Sequence, residues 1–148
     1  MPDTEARREF SKEHIQEAKD NYDRYLRFLH DPRGLDIDWA LVALFYCALH
    51  LIQAHAEKHA RNLRVPIPSV HTDRSDDDRG RDRYVYEQCN DIYVAYNKLK
   101  AASEDARYKR IKRNVQQVEA LHDEFFYPIL THFKIRHIDW EEKQQETV

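Results

Sequence analysis

Apolar residues along this chain recur at steps of three and four. In the first segment Phe10, His14, Ala18, Tyr22, Tyr25 and Leu29 follow this spacing with Glu, Lys, Asp and Arg between them. That pattern predicts a one-sided amphipathic helix ending at His30-Asp31-Pro32. A second helix, from about Asp38 to Asn62, is apolar on every side from Trp39 to Leu49, which marks it as the helix the others surround. Asp36 or Asp38 is its expected N-cap. Val85, Cys89, Ile92, Tyr96 and Leu99 form a 4-3-4-3 pattern that predicts a third helix, and Ile111, Val115, Val118, His122, Phe125 and Ile129 predict a fourth.

Pro32 and Gly34, Pro66 and Pro68, Gly80, and Pro128 are the helix breakers that divide these segments. Nothing of that kind lies between residues 100 and 110, so the junction of the third and fourth helices is placed near Ser103, with Glu104 and Asp105 favouring a helix start after it. Short connections between long helices put neighbours antiparallel, so the expected fold is an all-α, antiparallel up-down bundle of four or five helices. Residues 1–137 form one domain, and 138–148 a polar tail that frays. The exception to short connections is the charged link over 63–80, and a loop of that length is expected to be functional or disordered.

Composition sharpens the helical reading. Two glycines and five prolines among 148 residues leave few of the tight turns that sheet proteins need. Charged residues are 34 % of the chain but sum to only -3, so any phosphate-binding surface must be local. Cys47 and Cys89 lie in apolar helical runs with no Cys-x-x-Cys pair, which fits a reducing, cytoplasmic setting. The N-terminus carries charge from its third residue, so secretion is not expected. The Trp39 to Leu49 run is eleven residues, short for a bilayer, and a buried helix rather than a membrane partner is expected.

Three groups of residues could carry chemistry. His71-Thr-Asp-Arg74, in the charged link, would bring an imidazole and a guanidinium onto one face if helical. That pair suits phosphodiester chemistry, with histidine as acid or base and arginine as a bidentate phosphate clamp. The alternative is a solvated loop leading into the third helix. Arg107, Tyr108, Lys109, Arg110 and Arg113, with Lys112, place five cations around one tyrosine, either as an exposed helix face or as a phosphate or RNA contact. Near a helix start at Ser103, so much positive charge would oppose the helix dipole, which favours the second option. His50, in the apolar second helix, is either a hydrogen-bonded core residue or an active-site partner group. His55 and His59 have a metal-sharing i, i+4 spacing without an obvious third ligand, so neither a metal nor another cofactor is expected.

Asp38-Trp39-Ala40, Leu44-Phe45-Tyr46-Cys47-Ala48-Leu49-His50, His71-x-x-Arg74, Tyr96-x-x-Leu99 and Ser103-x-x-Ala106-Arg107-Tyr108 together resemble one branch of the HEPN superfamily. The resemblance covers about residues 36 to 110. It implies an all-α bundle, commonly homodimeric, and often a metal-independent endoribonuclease of toxin–antitoxin or antiphage defence systems, with RNA and an antitoxin-like protein as partners. The ribonuclease members carry Arg, four to six residues, then His on one helix. Here only Arg64 to His71 matches, and Pro66 and Pro68 interrupt it. His71 and Arg74, assisted by His50, are the substitute catalytic set. The competing expectation is a non-catalytic, homodimeric interaction or nucleotide-binding module.

Overall fold

The computed structural model describes residues 2–34, 37–64, 68, 80–109 and 112–133, with side chains from residue 12 onward except those of 60 and 61. Helix α1 spans Pro2–Leu29, α2 Ile37–Leu63, α3 Arg81–Gln88, α4 Tyr93–Glu104, α5 Val115–Leu121 and α6 Tyr127–His132. A 3-10 turn, Asn90–Ile92, joins α3 to α4, and π turns cover Asp105–Lys109 after α4 and His122–Phe126 between α5 and α6. No strand occurs among the described residues, so the fold is all-α.

These pieces form four antiparallel rods. Gly34 closes the turn after α1, donating its N–H to the Asp31 carbonyl at 3.0 Å with φ at 65°, a conformation suited to glycine. Helix α2 then returns along α1 and packs against α3, α4 and α5 as well, as its all-round apolar surface predicts. Its core positions Ala40, Leu41, Leu44, Cys47, Ala48, Leu51, Ile52 and Ala56 are almost fully enclosed. The stretch Ile37–His59 is long and apolar enough to cross a bilayer by composition alone, longer than the eleven-residue run suggests, but 72 % of that window is buried inside the protein. It is the core helix of the bundle. Arg64, at φ 58°, takes the left-handed conformation that terminates α2, so it stands outside the helix whose face an Arg-to-His motif would need.

Three boundaries differ from the sequence reading. The third helix is broken at Cys89, whose φ of -132° and ψ of 45° leave the helical region. The break is stabilised locally, because the Asn90 side-chain amide donates to the Tyr86 carbonyl at 3.0 Å. The heptad pattern survives it, since Cys89, Ile92, Tyr96 and Leu99 all remain buried. Ser103 does not start the fourth helix: it lies inside α4, buried, and the chain continues helically to Lys109. The cap is instead Asn114, which accepts from the Gln117 N–H at 2.8 Å while the Gln117 side chain accepts from the Asn114 N–H at 2.9 Å. Arg107 and Lys109 therefore sit at the C-terminal end of a helix, where the dipole favours cations, and helix electrostatics alone accounts for positive charge there without an RNA contact.

Pro128 does not break the fourth rod either. A proline removes the N–H that would bond four residues back and crowds that carbonyl. The π turn before it opens the ladder, with Tyr127 donating to His122 five residues back, and α6 proceeds with Pro128 in its first turn. Asp36, Ile111 and the 138–148 tail lie outside the described residues.

Candidate functional site: a cationic cleft and a histidine cluster on α2

Helices α2, α3 and α4 leave between them a cleft of about 400 Å³. From α2 come Phe45, Tyr46, Leu49 and His50; from the start of α3, Arg81; from α4 and its π turn, Lys100, Ser103, Glu104, Arg107 and Tyr108. Three cations thus face one carboxylate. Arg81 is buried although charged, carried into the wall by the helix that begins at Gly80. Lys100 is held by Asp82 at 2.8 Å, and the other oxygen of Asp82 accepts from the Tyr96 hydroxyl at 2.7 Å. This buried network fixes the Lys100 ammonium in place. Arg107 donates to the Tyr46 hydroxyl at 3.3 Å and its guanidinium lies 4.8 Å from the centre of the Tyr108 ring. Ser103 is 1 % exposed and its hydroxyl oxygen has no hydrogen-bond partner among the described residues.

At the other edge of His50, its Nδ1 lies 3.0 Å from Glu17 Oε2 and 3.1 Å from His14 Nδ1, both on α1. Burial lowers the His50 pKa, opposed by the Glu17 carboxylate and reinforced by His14 and Arg81. His50 is thus neither a lone core histidine nor free: it bridges the α1–α2 contact and the cleft.

The expected residues divide as follows. The structure brings His50, Arg107 and Tyr108 into the cleft. Lys109 and Arg113 turn to Asp105, at 3.4 and 3.5 Å, and line none of it. His71, Arg74 and Arg110 lie outside the described residues. Sequence reasoning missed Arg81 and Lys100 and gave Ser103 only as a helix cap and a motif position; burial marks Arg81 and the Asp82 contact marks Lys100. It also missed the His14–Glu17–His50 group, since its members join across 36 residues of chain.

His55 is used structurally. Its Nδ1 meets the Tyr84 hydroxyl at 2.7 Å, and its pKa is lowered to about 4, first by burial and then by His59, His132 and Lys58. His55 and His59 belong to no three-donor group among the described residues. Tyr84 is buried beside this contact, whereas Tyr86 and Tyr127 are exposed and Tyr93 half-buried.

Comparison with known proteins adds no relative: no family model matches the chain, no curated protein matches it, and no solved structure matches it.

Proposed function

We propose that this protein is a HEPN-type domain that binds RNA through the α2–α3–α4 cleft and cleaves it with protein side chains. The observation that carries the reading is the convergence of Arg81, Lys100 and Arg107 on one cleft, an arrangement suited to a phosphate with its several acceptor oxygens. Tyr46 and Tyr108 supply ring faces for bases, as single-stranded RNA recognition requires. The segment carrying His71 and Arg74 enters α3 at Arg81, the cleft's own wall. In this reading His71 takes the proton of the RNA 2′-hydroxyl and the 2′ oxygen attacks the adjacent phosphorus. The bond to the 5′ oxygen breaks and that oxygen takes up a proton, leaving a cyclic phosphate and a 5′-hydroxyl. Arg74 and the cleft cations hold the phosphate charge. DNA lacks the nucleophile and is left intact.

The test is incubation with a mixed RNA pool, with end analysis of the products and anisotropy measurements across a salt series. Expected are cyclic-phosphate ends lost in His71→Ala, and affinity that falls with salt and weakens in Arg107→Ala across all sequences. Absence of RNA binding at low salt would refute the reading. A second reading, a non-catalytic nucleotide-binding module, is favoured by the cleft's size, which suits one small ligand rather than a strand. It predicts saturable mononucleotide binding without cleavage. In either case we propose a homodimer, supported by the exposed Trp39, Tyr86, Val94, Tyr108 and Tyr127.

A further inference from the structure

We infer that His14, Glu17 and His50 form a binding site for one zinc-class divalent ion that clamps α1 to α2. Donor chemistry selects the ion class. Two imidazole nitrogens and one carboxylate oxygen form a donor set that suits zinc and its first-row neighbours, while magnesium and calcium favour oxygen alone. Placement follows from helix geometry: His14 and Glu17 are three residues apart on one face of α1, and the antiparallel return of α2 brings His50 opposite them.

The distances then select the ion size. The three donor atoms, His14 Nδ1, His50 Nδ1 and Glu17 Oε2, stand 3.1, 3.0 and 3.9 Å from one another. A point equidistant from all three lies about 2.0 Å from each, which is the length of zinc–nitrogen and zinc–oxygen bonds. A tetrahedral arrangement at that bond length has edges of about 3.3 Å, so the two shorter edges open by about 0.2 Å and the long edge closes by about 0.6 Å, leaving the fourth corner for water or an anion. Among the described residues this is the one group of three or more such donors that converges.

Proton bookkeeping points the same way. A neutral imidazole has one proton for its two nitrogens, and His50 Nδ1 faces both the Glu17 carboxylate and His14 Nδ1. If His50 gives its proton to Glu17, His14 Nδ1 is left against an N–H already in use. A cation satisfies all three lone pairs at once. His14 and His50 side chains are 17 % and 19 % exposed and Glu17 is 55 % exposed, so the two nitrogens are sheltered while the carboxylate side stays open for entry. With three protein donors and an open carboxylate side, the ion should be held more weakly than in a fully closed four-ligand structural zinc site.

This inference does not rest on RNA binding, and no RNA enters its test. Chelator-treated, tag-free protein is titrated with zinc chloride by calorimetry and by equilibrium dialysis, and melted with and without zinc. Expected is one zinc per chain with micromolar or tighter affinity, a melting temperature raised by several degrees, and no comparable response to magnesium. Glu17→Gln, an exposed change that keeps shape and leaves the fold intact by circular dichroism, should weaken zinc at least tenfold. His14→Ala should weaken it at least a hundredfold, whereas His59→Ala should leave it unchanged. The inference is overturned by no stoichiometric uptake at micromolar zinc. It is equally overturned by uptake that persists in Glu17→Gln and His14→Ala, or that disappears in His59→Ala and so belongs to the His55–His59 pair.

Discussion

Replacing Tyr96 by phenylalanine isolates the hydrogen bond that holds the cleft's α4 wall. The Tyr96 ring is fully buried, 5.8 Å from the Phe45 ring centre, and phenylalanine keeps that packing, so no cavity opens. What is lost is the 2.7 Å bond from the hydroxyl to Asp82 Oδ1, while Oδ2 keeps its 2.8 Å contact with Lys100. A hydrogen bond to a charged group is worth roughly 1.5–3 kcal/mol, and the loss leaves one oxygen of a buried carboxylate short of a donor, so about 2 kcal/mol is expected. In urea, with m of about 1–3 kcal/mol/M, that lowers the midpoint by about 1 M and leaves m unchanged. Asp82→Ala takes the carboxylate away from both Tyr96 and Lys100 and should cost more, roughly 3–5 kcal/mol. Combining Tyr96→Phe with Asp82→Asn should reveal a coupling of at least about 1 kcal/mol. A Tyr96→Phe loss below about 0.5 kcal/mol, or additive effects in the double variant, would refute the claim that this network sets the wall.

Acidification should weaken the fold through His55: its folded pKa of about 4 lies below the ordinary 6.5, so the unfolded chain binds more protons between these values. The stability is complete above about pH 6.5 and lost as pH falls toward 4; after solvent screening the loss is on the order of 1–2 kcal/mol. Urea melts at about pH 7 and about pH 4.5 should show a smaller loss in His55→Gln, and parallel losses would refute it. His122→Ala removes a buried ring that bonds the Tyr22 hydroxyl at 3.1 Å and stacks on Tyr25, so roughly 2–4 kcal/mol should be lost by denaturant titration. Cys47 and Cys89 are buried, and burial pushes both thiols up, Cys89 to about 12. Thiol reagents should therefore react only as the protein unfolds. Sedimentation should give twice the 17.9 kDa chain mass, and a monomer at micromolar concentration would remove the dimer.

Helix periodicity made the core legible. Tyr22, Tyr25, Leu41, Leu44, Leu99, Val118 and Ile129 are all buried where the 3-and-4 spacing puts them, because burying an apolar stripe is the strongest force in placing a helix. Boundaries were harder, because the break at Cys89, held by the Asn90 amide, and the start at Asn114, held by its reciprocal pair of bonds with Gln117, depend on a few side-chain-to-backbone bonds that leave little trace in a hydrophobic pattern. The site was half visible. His50, Arg107 and Tyr108 stood out as polar or cationic residues in unusual company, whereas Lys100 looked like any solvated lysine until Asp82 came up behind it. Ser103 misled because its type favours caps, yet it sits mid-helix with its hydroxyl unpaired among the described residues.

The π turn at His122–Phe126 amounts to one surplus residue in an otherwise continuous rod. The π turn takes up that residue locally, so side chains beyond it keep the facing that an uninterrupted helix would give them. Ile129 and Leu130 therefore reach the core while His122 and Phe126 stay beside Tyr22. Pro128 and the surplus residue are therefore a matched pair. In any lineage that retains this bundle, a change at position 128 to a residue with an N–H removes the reason for the surplus and permits a single-residue deletion among the exposed Asp123 and Glu124 positions. The deletion on its own, with the proline kept, would press the Pro128 ring against the carbonyl four residues back and kink the rod before α6.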